Sequence, residues 1–117
     1  MDPPARYPKQ IIQNPKKVNN VTTIFGNGST TSVDGPVSIA TINYPIGISI
    51  HPITQEVYIA EYYGAGNSIR GWNRTSQTVR TVVSGINSPY YLDFLNDGTL
   101  YITANLGFYK LFTNGKI

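Results

Sequence analysis

Two stretches of this chain superimpose on each other. Pro45-Ile46-Gly47-Ile48-Ser49-Ile50 lies over Pro89-Tyr90-Tyr91-Leu92-Asp93-Phe94, an offset of 44 residues. Ile46, Ile48 and Ile50 fall on Tyr90, Leu92 and Phe94, so one face of each stretch is apolar at a period of two, as in a strand with one buried side. A turn follows each, His51 to Gln55 in the first copy and Asn96-Asp97-Gly98 in the second. Asp and Gly tolerate the positive φ of tight hairpins, which makes the second turn a strong signal. Val57-Tyr58-Ile59-Ala60 then aligns with Leu100-Tyr101-Ile102-Thr103 at an offset of 43, the second turn being one residue shorter.

A third strand is expected at Ile69–Trp72 and again at about Phe108 to Phe112. The fourth, Val79-Arg80-Thr81-Val82-Val83, has its counterpart upstream in Val21-Thr22-Thr23-Ile24-Phe25. Four short strands in roughly 43 residues is the period of a propeller blade. In order, the chain reads as one last strand, a full blade over 45–85, and three strands of the next over 89–112. Residues 1–20 form a flexible lead outside the repeats, which occupy 21–117.

Composition agrees with this reading. Only 13% of residues are charged, 40% are hydrophobic, and there are 11 Gly, 8 Pro and nine Tyr. Aromatic, β-branched and turn-forming residues favour strands joined by tight turns, and nowhere do apolar residues keep helical spacing over three turns. The net charge is +3, but Arg6, Lys9, Lys16, Lys17 and Lys116 lie in the lead or at the last turn. That placement suits solvated segments better than a nucleic-acid footprint. With no cysteine there is no disulfide framework and no thiolate metal site. The opening MDPPARYPKQIIQNPKK holds no apolar run long enough for a signal sequence or a membrane span. The compartment is left open, and the three sequons at Asn20, Asn27 and Asn73 are close to the number chance supplies.

At these residues the chain resembles the NHL-repeat family. The resemblance rests on Pro45-Ile46-Gly47-Ile48, Tyr58-Ile59-Ala60-Glu61 and Asn67-Ser68-Ile69. The inter-blade stretch from Val21 through Gly26-Asn27-Gly28, Asp34-Gly35-Pro36, Ala40 and Asn43-Tyr44-Pro45 adds to it. It implies an all-β fold: antiparallel four-stranded blades of a six-bladed type of propeller, here an incomplete ring. Departures from the family pattern are Glu61 for aspartate, Ser68 for arginine, Tyr91 for glycine and Ala104 for aspartate. They bear on polar bracing between blades, above all in the second copy.

Candidate chemistry is sparse. His51 is the single histidine and sits before Pro52 in a turn, so it is expected to be solvated. Asp34 and Asp97 precede glycine and read as turn formers, and Glu56 stands at a strand entrance. Glu61 and Asp93 are the weak metal candidates, one where the second strand leaves the sheet, the other on the innermost strand opposite Leu92 and Phe94. The family likeness implies carboxylate metal ligands near the channel only in propeller lactonases and lyases. A backbone-bracing role is the preferred expectation for both. No GxSxG elbow, HExxH or phosphate-binding loop is present, so catalysis by this piece is disfavoured and no cofactor is expected. A divalent metal enters only under the alternative that the chain is part of such an enzyme, with its ligands mostly in absent blades.

The feature most suggestive of binding is aromatic. Loops joining last to first and second to third strands emerge on one propeller face, and Asn43, Tyr44, Tyr62, Tyr63, Asn67 and Tyr90 fall there. Tyrosine offers large, stiff contact area with one polar handle. The expected function is therefore non-catalytic recognition of a protein or peptide, with nucleic acid disfavoured because few basic residues accompany these tyrosines. Repeats bury their faces only against neighbours. Three expectations compete: the remaining blades belong to a longer chain, the chain is a short protein that folds only in part, or three copies close a six-bladed homo-trimer in which Val21–Phe25 completes another chain's blade.

Overall fold

The computed structural model describes residues 20–62 and 67–113. Eight strands form: β1 (Gly35–Pro36), β2 (Pro45–Ile50), β3 (Val57–Glu61), β4 (Ser68–Asn73), β5 (Thr78–Ser84), β6 (Pro89–Phe94), β7 (Thr99–Ala104) and β8 (Phe108–Phe112). They make two antiparallel sheets, one in the order β1-β5-β4-β3-β2 and one in the order β6-β7-β8, and neither closes on itself. Among the described residues no helix is long and apolar enough to cross a membrane.

Local chemistry sets the hairpins. Between β4 and β5 the Asn73 side-chain oxygen accepts the amides of Thr75 at 2.9 Å and Ser76 at 3.0 Å, closing an Asx turn. Between β6 and β7 Asp97 accepts the Thr99 amide at 2.9 Å while Gly98 takes φ +92°, the conformation expected of Asp-Gly.

The repeat is exact in register. Ile48, Ser49 and Ile50 pair with Ile59, Tyr58 and Val57, and Leu92, Asp93 and Phe94 pair with Ile102, Tyr101 and Leu100. Each hairpin carries a register shift at the same place, between Pro45 and Gly47 in the first and between Pro89 and Tyr91 in the second.

The core lies between the sheets. Tyr58, Ala60 and Ile69 of the first meet Leu92, Leu100 and Ile102 of the second, with Ile86 from the connection. The equivalents of that second-sheet surface on the first sheet are Ile46, Ile48, Ile50, Val57, Ile59 and Trp72. They line an open apolar groove of about 470 Å³ instead. Ile48 is 67% exposed there, while its counterpart Leu92 is buried.

Val21–Phe25, expected as the last strand of a preceding blade, pairs with no strand among the described residues, and Thr22, Ile24 and Phe25 flank the groove beside β2. The third strand it is expected to pair with belongs to another blade or another copy. One expectation is corrected. His51, expected in solvent, is 1% exposed and packed between Tyr58 and Phe94, with ring centroids at 5.9 and 4.9 Å.

Candidate functional site

The end of the sheets where β2 begins and β3 ends gathers most of the residues of interest. At its base is a buried ion pair. Glu61 closes β3 and Arg70 sits within β4, both side chains at 0% exposure, with Arg70 Nη1 2.7 Å from Glu61 Oε2. Burying two charges is tolerated only when every remaining polar position finds a partner, and here they do. Glu61 also accepts from Ser68 Oγ at 2.7 Å, Ser32 Oγ at 2.8 Å and the Asn43 amide at 2.9 Å.

Arg70 in turn donates to the carbonyls of Thr41 and Val33 at 3.0 and 2.9 Å, to Ser32 Oγ at 2.8 Å and to Asp34 at 3.0 Å. Asp34 accepts the Thr81 amide at 3.0 Å. The planar guanidinium fork suits this many fixed acceptors. The result is a clamp that holds the 31–43 segment, including β1, onto the first sheet.

Glu61 therefore acts as the expected brace, its carboxylate engaged on both oxygens. The second weak metal candidate, Asp93, is exposed on the face of β6 turned away from the core. Among the described residues no cluster of three or more His, Cys, Asp or Glu could hold a metal ion. Glu56, at the entrance of β3, forms a fork with Arg80 at 2.8 and 2.9 Å.

Above the clamp stands the aromatic group. The Tyr62 amide donates to the Tyr44 carbonyl at 3.0 Å, which ties the two loops together. The hydroxyls of Tyr62 and Tyr90 lie 3.0 Å apart and their rings 4.9 Å apart, bridging the first sheet to the second. That hydrogen bond raises the Tyr90 phenol above its ordinary pKa, because it favours the neutral form. Tyr44 is 55% exposed and holds φ +48°, an uncommon conformation for a bulky residue. Beside it lies a shallow cleft of about 270 Å³ lined by Gly28, Ser29, Thr30, Ile42 and Asn43.

The expected residues thus divide. Tyr44, Tyr62 and Tyr90 are brought together at one rim. Asn43 and Asn67 share it but serve the frame: Asn43 is buried with its amide on Glu61, and the Asn67 side-chain oxygen accepts the Ser88 amide at 3.1 Å. Tyr63 lies outside the described residues. Arg70 was not among the expected residues; the signal it offered was its place between Ile69 and Trp72 in an inner strand, across a hairpin from Glu61. At the opposite end, His51 Nδ1 accepts the amides of Ile53 and Thr54 at 3.1 and 3.2 Å, leaving Nε2–H to donate to the Thr113 carbonyl at 2.7 Å. With both nitrogens occupied, His51 is a structural residue.

No protein-family model matches the chain, and no curated protein does. It is similar to a solved structural-genomics protein of unknown function from Bacteroides thetaiotaomicron, with a TM-score of 0.66 at 19% identity over 74% of this chain. The chain spans about a quarter of that protein, 26% of its length, and the likeness is one of fold.

Proposed function

We propose that this chain is a non-catalytic recognition module built from NHL-like propeller repeats, which binds a protein or peptide at the rim formed by Tyr44, Tyr62 and Tyr90. The observation that carries the reading is the junction of the Tyr62 and Tyr90 hydroxyls across the two sheets, with a half-exposed Tyr44 tied to the same loop. Rigid aromatic surface with polar tips is what dominates protein–protein contacts. The repeated hairpin register supports the propeller assignment, and the clamp on residues 31–43 supports a preformed rim that pays little ordering entropy on binding.

Selection of a displayed peptide library on the purified chain tests this. A selected peptide should lose about tenfold or more in affinity against Tyr44→Asn and against Tyr62→Ala, as expected for aromatic anchors. The far-UV circular dichroism of both variants should match the parent. Peptides that bind both variants as tightly as the parent would place recognition elsewhere.

A further inference from the structure

A second surface, independent of the tyrosine rim, is defined by how the two repeats pack. The backbone of β6 crosses the first sheet at Gly47. A Cβ built on Gly47 would run into the Tyr90 carbonyl oxygen and come within 3.3 Å of the Tyr91 Cα. Glycine is used in strands where another backbone approaches this closely. The packing of one repeat on the next therefore needs two things: an apolar face of the Tyr90, Leu92, Phe94 kind on the arriving sheet, and a glycine at the Gly47 position on the receiving sheet.

The first sheet presents such an arriving face with no sheet packed on it, the groove walled by Ile46, Ile48 and Ile50 and flanked on one side by the chain's own Thr22, Ile24 and Phe25. The second sheet presents the matching receiving face, its Tyr101 and Phe108 rings stacked at 5.6 Å and Phe108 70% exposed. At the Gly47 position, however, it carries Tyr91, paired with Thr103 as Gly47 is paired with Ala60. Phe108 can rotate away, but the Cβ of Tyr91 cannot leave the backbone.

We infer that the Ile46–Ile48–Ile50 face docks a sheet of the same repeat type that carries glycine at the Gly47 position, and that Tyr91 bars a second copy of this chain from that place. The interface already formed within the chain supplies the template, residue for residue. The similar solved protein, about four times the span matched, shows the same fold set within a longer chain. Head-to-tail closure of identical copies is thereby blocked by one side chain, a case of specificity built through a clash.

The test uses light scattering on a size-exclusion column. The parent chain and Tyr91→Ala, which keeps its Cβ, should run as monomers. Tyr91→Gly should associate head to tail in a concentration-dependent way. A Tyr91→Gly, Ile48→Asp double variant offers a receiving face but has its own groove spoiled at an exposed position. Alone it should be monomeric, and mixed with the parent it should give a one-to-one complex of doubled mass. Parent oligomers that Ile48→Asp dissolves would overturn the inference, since a second copy would then fit despite Tyr91. Failure of the double variant to bind the parent would overturn it equally, since glycine would not be the determinant.

Discussion

Glu61 and Arg70 meet at 2.7 Å with both side chains wholly out of solvent, and between them they fasten a segment some thirty residues upstream. The pair couples the first hairpin to the chain that precedes it. Removing one partner leaves the other charged and buried, which costs about 3–5 kcal/mol. Arg70→Met should therefore destabilise strongly in urea titration. The double change Glu61→Leu with Arg70→Met should cost less than the sum of the single changes, because no charge is then stranded. Additive losses would mean that the two groups act separately.

Gly47 sets the distance between the sheets. Gly47→Ala must push the β6 backbone away from β2, and overpacking of this kind costs about 1–3 kcal/mol or more. The loss should fall unevenly. Amide exchange should quicken in β6, β7 and β8, which depend on the docking, while β3–β5 keep their protection through their own ladders. Uniform quickening in both sheets would show that Gly47 matters to the whole fold rather than to the junction.

Much of this architecture was legible in the sequence, for reasons that are local. Alternation in Pro45–Ile50 and Pro89–Phe94, with turn residues after each, defines hairpins without knowledge of the rest of the chain. Long-range pairing hid the rest. His51 before Pro52 does form a turn, yet its burial is decided by Thr113, 62 positions away. Beyond Glu61, Arg70 finds its acceptors 29 to 38 positions upstream. Tyr91 was visible as a departure from glycine, but its consequence follows only from seeing the Tyr90 backbone cross Gly47.

His51 is expected to matter to stability and not to chemistry. His51→Leu keeps the bulk between Tyr58 and Phe94 but strands the Ile53 and Thr54 amides and the Thr113 carbonyl. A buried polar group left unpaired costs about 1–3 kcal/mol, and each kcal/mol lowers the melting temperature of a domain this size by roughly 4–8 °C. Peptides selected on the tyrosine rim should bind the variant unchanged below its melting temperature. A variant that melts with the parent would show the histidine bonds to be dispensable.

The β6–β7 turn should respond to acid. The Thr99 amide donates to Asp97 at 2.9 Å and, with the Thr99 hydroxyl and Lys110 nearby, holds the carboxyl below its ordinary pKa. A carboxylate depressed in the folded state adds stability above its unfolded pKa of about 4, and that contribution fades as pH falls through the lower folded value. Asp97→Ala should therefore be less stable than the parent by a constant margin from neutral pH down to about pH 5, where the unfolded carboxyl is still ionised. The margin should narrow on further acidification. Asp97→Asn, which keeps the oxygen that accepts from Thr99 but cannot ionise, should lie between the two at neutral pH and show no such narrowing relative to Asp97→Ala. A parent-to-alanine margin that stays flat into strong acid would mean that the turn is held by the backbone bonds of Leu95 and Gly98 alone.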